Sequence, residues 1–135
     1  MTVFVCLDDR GGMLFNHRRQ SRDREQIADM WREVGTRRLL CAPYSQTLFA
    51  EGMRQPIFDE DFLSHAEAED CCFVENKLLS SYVSSIDTLY VYKWNRTYPR
   101  DTILDIPLPG DFRLTEMVEL AGYSHEMITR ERYER

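Results

Sequence analysis

The densest chemistry in the sequence lies between residues 16 and 24, Asn16-His17-Arg18-Arg19-Gln20-Ser21-Arg22-Asp23-Arg24. Guanidinium forks match the paired oxygens of phosphate and carboxylate, and a loop entering a helix N-terminus adds the positive end of the helix dipole. Arg18, Arg19 and Arg22 are therefore candidates to hold an anion. The plainer reading is a solvated loop whose arginines pair with acids elsewhere. Residues 51–75 supply such acids: Glu51, Asp59, Glu60, Asp61, Glu67, Glu69, Asp70 and Glu75 stand against Arg54 alone. Surface pairs of this kind contribute under about 1 kcal/mol each.

A second set of candidates follows short apolar runs. Glu75 and Asn76 come after Cys71–Val74, Tyr44 and Ser45 come after Arg38–Ala42, and Tyr92 lies within Thr88–Trp94. Strand ends of an open α/β sheet face the crevice where ligands bind, so these five residues could line a small polar pocket. Equally, Glu75 could face solvent beyond its strand. Ser124-His125-Glu126 puts a base beside an acid, but chain neighbours point different ways and no nucleophile is placed near His125. No catalytic residue is assigned. Cys6, Cys41, Cys71 and Cys72 all sit in apolar runs, which suits reduced core thiols, and no metal site is assigned to them. Asp59-Glu60-Asp61 lacks the ligand spacing of a calcium loop.

The elements that must position these residues follow from patterning. Thr2–Leu7 is a continuous β-rich run, as expected of a strand buried on both faces, and Asp8-Asp9-Arg10-Gly11-Gly12 ends it in a turn. A polar loop runs to Ser21, a candidate helix cap. Ile27, Met30, Trp31 and Val34 then share one helical face up to Gly35. Arg38–Ala42 and Cys71–Val74 read as two more buried strands, with a short helix after Ser45 and another through Leu78, Leu79, Tyr82 and Val83. Thr88–Trp94 is the clearest strand. Residues 95–110, with Pro99, Pro107, Pro109 and Gly110, read as a long connection, and Phe112–Glu119 and Met127–Tyr133 as a closing antiparallel pair. Strands alternating with helices predict parallel crossovers, and the strand-only tail predicts an antiparallel edge.

Composition bounds what such a domain can do. The 135 residues suit one domain, and the net charge of −6 argues against sequence-independent nucleic-acid binding, which needs a basic footprint. No run approaches the roughly 20 apolar residues of a membrane span. The N-terminus meets acids at once, unlike a signal peptide, so a cytoplasmic location is expected.

The order of elements, with its final strand, long loop and hairpin, resembles dihydrofolate reductase. Val5-Cys-Leu-Asp-Asp-Arg-Gly-Gly-Met13 is similar to that family's first strand and the glycine turn opening its mobile loop. Ser21-Arg-Asp23, Leu40-Cys-Ala-Pro-Tyr-Ser45, Ile86-Asp-Thr-Leu-Tyr-Val-Tyr92, Tyr98-Pro-Arg-Asp-Thr102 and Ile128–Arg135 resemble later family segments in order. The resemblance implies a three-layer α/β fold with a mixed, mostly parallel sheet of about six strands. It also places the 16–24 loop over the family's cleft, which favours the ligand reading of its arginines. Asp23 falls near the acid with which family members hold a pterin ring, although flanking Arg22 and Arg24 suit a helix cap as well.

Departures from the family bear on function. The chain is shorter between the helix after Ser45 and the strand at Cys71, so residues 1–135 read as a single truncated domain lacking part of the cofactor-binding edge. Phe73-Val74-Glu75-Asn76 stands where the family has Gly-Gly against the cofactor diphosphate, and Ala42-Pro-Tyr-Ser45 replaces a turn that carries an arginine. No NADPH is expected. The sequence is also similar to small bacterial proteins, some labelled ribonuclease Z. A two-zinc nuclease needs a His-x-His-x-Asp-His cluster, whereas this chain has only the scattered His17, His65 and His125. The leading expectation is a non-redox domain binding a small anionic or nucleotide-like ligand. The alternatives are a phosphodiester hydrolase or ribonuclease-type enzyme, a residual reductase, and a homo-oligomeric interaction protein such as a homodimer.

Overall fold

A computed structural model describes residues 1–135. In chain order its strands are β1 (Thr2–Leu7), β2 (Gly12–Phe15), β3 (Arg18–Arg19), β4 (Leu39–Cys41), β5 (Ile57–Phe58), β6 (Cys71–Phe73), β7 (Thr88–Lys93), β8 (Thr102–Ile103), β9 (Arg113–Ala121) and β10 (Met127–Glu134). The α-helices are α1 (Arg24–Val34), α2 (Gln46–Phe49) and α3 (Phe62–His65). The main sheet runs in the order β5-β4-β6-β1-β7-β10-β9. Its first five members are parallel, and β10 and β9 are antiparallel. Two-residue β5 is the strand added to the six read from the sequence.

The central strands are mostly apolar because both faces are covered. Alternation divides each run between the layers. Val3, Val5, Leu89 and Val91 enter one core with Leu79, Ile86, Ile106 and Phe112. Phe4, Tyr90, Tyr92 and Ile128 enter the other, against Met30 and Val34 of α1. Phe4 and Tyr90 stack across neighbouring strands with centroids 4.6 Å apart. The α1 layer also covers a buried charge: Arg130 donates to both Asp29 oxygens at 2.9 and 2.8 Å, and Tyr92 donates its hydroxyl to Asp29. No helix is long and apolar enough to cross a membrane.

Four local expectations change. The polar run after Gly12 is no plain loop: β2 and β3 form a hairpin, and β8 of the long connection pairs with it as a second sheet, β3-β2-β8. Asn16 and His17 both have positive φ, the requirement of a tight two-residue hairpin turn, and Met13 and Leu14 give it a buried side. Asp23, not Ser21, caps α1, since its extended backbone lets the carboxylate accept from Glu25 N–H at 2.9 Å. Ser45 precedes α2 but gives its hydroxyl to Glu75 instead of the helix. The segment through Tyr82 and Val83 is a 3₁₀ helix, Ser80–Ser85, whose first N–H groups bond the Asp105 carboxylate.

Candidate functional site

Parallel β4, β6, β1 and β7 all end on one side of the sheet, so the residues following them share an edge, and the β2–β3 hairpin arches back over it. Arg19, at the close of the hairpin, meets Glu75, just past β6, in a bidentate pair: Nε to Oε2 at 2.9 Å and Nη2 to Oε1 at 3.1 Å. Ser45 donates to the same Oε1 at 2.7 Å. Arg19 Nη1 reaches Thr47 Oγ1 at 3.1 Å, and the guanidinium lies 5.0 Å from the Tyr44 ring centroid. Four of the predicted residues (Arg19, Tyr44, Ser45 and Glu75) are thus one cluster, and Asn76 continues the chain beside it with a buried, unpartnered Oδ1.

Arg19 borders two spaces. On the side of the Arg19–Glu75 pair is a small, partly open cavity of about 10 Å³, lined by Cys6, Ser21, Arg22, Gln26 and Trp94 among others. Gln26 is 2% exposed and its Nε2 has no partner. Outside the pair is an open groove of about 300 Å³ between the hairpin and Tyr98-Pro99, lined by Phe15, Asn16 and Arg18, and sharing Arg19 and Gln20 with the cavity. Of the arginines between 10 and 24, only Arg19 pairs with an acid of the 51–75 segment. Arg24 covers the Tyr123 ring, while Arg18 and Arg22 form no ion pair. Burial, reinforced by the charge of Glu75, pushes the Cys6 thiol well above its ordinary pKa, which keeps it protonated and inert.

A buried hub closes the far side. The Asp23 carboxylate accepts from the backbone N–H groups of Tyr123, Ser124 and His125, and lies 2.9 Å from His125 Nδ1. Burial alone would raise its pKa, but these N–H groups and His125 outweigh that and hold it well below the carboxylate range. An ionised carboxylate only accepts, so Nδ1 carries a proton, and in the neutral imidazole Nε2 is then the acceptor. Ser21 Oγ stands 2.8 Å from that Nε2, with the Tyr98 hydroxyl at 3.3 Å. Trp94 stacks on the imidazole with centroids 4.6 Å apart. Gly122 permits this approach, because a Cβ there would collide with the His125 carbonyl and come within 2.9 Å of Asp23 Oδ2.

The structure therefore divides the candidates. Arg18 faces the groove, Arg19, Tyr44, Ser45 and Glu75 cluster, and Arg22 borders the cavity. Asp23 is committed to the helix cap and the His125 turn, with no oxygen turned to the groove. Tyr92 lies elsewhere: it is fully buried under α1 because its position in the β7 alternation points it at Asp29. Sequence reasoning missed Phe15, Gln26 and Tyr98, and left His125 without a nucleophile. No short-range pattern signals a contact between Ser21 and a residue 104 positions away.

No protein-family model matches the chain, and no curated protein matches it. Among solved structures, a dihydrofolate reductase from Enterococcus faecalis, complexed with NADP(H) and RAB-propyl, matches with a TM-score of 0.70 at 11% identity. The match covers 99% of this chain and 95% of that one. The chain thus has a dihydrofolate reductase-like α/β fold over essentially its whole length, and the ribonuclease Z label gains no support.

Proposed function

We propose that this protein binds a small anionic, nucleotide-like ligand in the groove beside the Arg19–Glu75 cluster, without redox chemistry. The observation that carries this reading is Arg18, a cation with no acid partner, in an open groove of about 300 Å³ beside Phe15, which is 48% exposed. An exposed aromatic ring offers a stacking face and a free guanidinium offers a fork for phosphate or carboxylate. The volume is at the lower end of the range for ligand sites. The absence of redox chemistry is supported by Glu75. Its carboxylate, with Arg19 and Ser45 bound to it, fills the end of β6 where a diphosphate would need bare backbone N–H groups. A nicotinamide dinucleotide does not fit these residues.

A thermal-shift screen with nucleotides, simple phosphates, folates and NADPH tests the reading. A ligand at 100 times its Kd stabilises by about 2.7 kcal/mol. Arg18→Ala should weaken binding by about 1.5–3 kcal/mol, as loss of a charge-assisted hydrogen bond does, and leave the unliganded stability within about 0.5 kcal/mol. Stabilisation by NADPH would overturn the non-redox reading. A second reading, self-association, is favoured by β9, a nine-residue edge strand with Leu114 and Met117 exposed.

A further inference from the structure

We infer that Ser21, His125 and Asp23 form a nucleophilic triad that cleaves small carboxylic esters. Ser21 Oγ, His125 Nε2, His125 Nδ1 and Asp23 Oδ2 are joined in series at 2.8 and 2.9 Å. This is the relation by which a buried carboxylate fixes the imidazole tautomer so that its other nitrogen takes the serine proton. The hub goes beyond what capping α1 needs, because one Asp23–Glu25 contact does that. Trp94 stacking and the three backbone N–H donors of residues 123–125 additionally hold the ring in one orientation. Ser21 is only half-buried and borders the small cavity. Gln26 lines the same cavity and its buried Nε2 has no partner, so it is the donor on hand for a developing oxyanion. Arg22 borders the same cavity and selects an ester that carries a negative charge.

Each step balances. Ser21 Oγ bonds to the acyl carbon as its proton passes to His125 Nε2, and the bond to the leaving alcohol breaks as that proton returns to the alkoxide. Water then adds to the acyl carbon with His125 as base, the bond to Oγ breaks, and the proton goes back to Ser21. The products are a carboxylic acid and an alcohol, with no net oxidation.

The choice of an anionic ester rests on the reading of the loop arginines as anion-binding, but the nucleophile does not, and the experiment separates them. The full-length protein is treated with a fluorophosphonate probe and assayed with p-nitrophenyl acetate and mono-p-nitrophenyl succinate. One adduct at Ser21 is expected, absent in Ser21→Ala, with ester turnover lost in the same variant while its melting temperature holds. His125→Gln, which retains hydrogen bonding, should slow labelling by about 10²- to 10⁴-fold, and Arg22→Ala should lower turnover of the succinate ester relative to the acetate. No adduct, or an adduct and turnover that survive Ser21→Ala, overturns the triad even if ligands stabilise the fold. Labelling at Ser21 with no stabilisation by any anion would uphold the triad and remove the groove reading.

Discussion

The Asp23 carboxylate joins α1 to a turn 100 residues away, and its ionisation is therefore a folding variable. Its pKa is depressed in the folded state, so its contribution is complete above the ordinary carboxylate value of about 4 and is lost as pH falls below that toward the folded value. Asp23→Ala should cost about 3–5 kcal/mol at pH 7, the effect of stripping a partner from a buried pair. In urea unfolding the gap from the parent protein should narrow below about pH 4, and a gap independent of pH would contradict the assignment. At this scale the sequence was half legible. Arg19 and Glu75 stood out by type, but their pairing across 56 positions had no local signal. Tyr92 was misplaced because a continuous apolar run does not say which alternate residues face which layer.

Among the elements, the β2–β3 hairpin carries the groove, and its sequence looks like a loop because strands of four and two residues are too short to show a period. What marks it is Asn16-His17, two residues that tolerate positive φ better than most. His17→Val should lower stability by about 1–2 kcal/mol, the cost of forcing a β-branched residue into the left-handed region. Because that strain moves the hairpin, Arg18 and Arg19 should lose ligand affinity together. Equilibrium denaturation and the thermal-shift screen read the two effects, and an unstrained His17→Val would mean the turn has another geometry. The long helix was legible from Ile27, Met30, Trp31 and Val34 alone, whereas its start was not: Ser21 and Asp23 both suit a cap, and the extended backbone at Asp23, which turns its carboxylate to Glu25 N–H, decides between them.

For the whole molecule, the sheet order was the most readable feature. Parallel strands covered on both faces announce themselves as unbroken apolar runs, and β7 through β10 show the change to an antiparallel edge. One rim was not readable, since β5 has only two residues, whereas β9 was read at the other rim although it mixes charges with Leu114 and Met117. An edge strand of this length with apolar side chains outward offers a pairing surface to a second copy. Sedimentation equilibrium should give a dimer that Met117→Lys returns to a monomer, and a monomeric parent protein would eliminate the self-association reading.

The clasp between Asp23 and residues 123–125 also sets an order in time. Helix α1 emerges early in synthesis, yet its capping carboxylate has no backbone N–H groups from the far turn until the β9–β10 hairpin has been made and docked against β7. Closing so long a loop is slow, and topologies dominated by such contacts fold in milliseconds to seconds rather than microseconds. The serine, the imidazole and the carboxylate therefore cannot meet until the C-terminal hairpin is in place, and a chain caught before that has every side chain of the site without their arrangement.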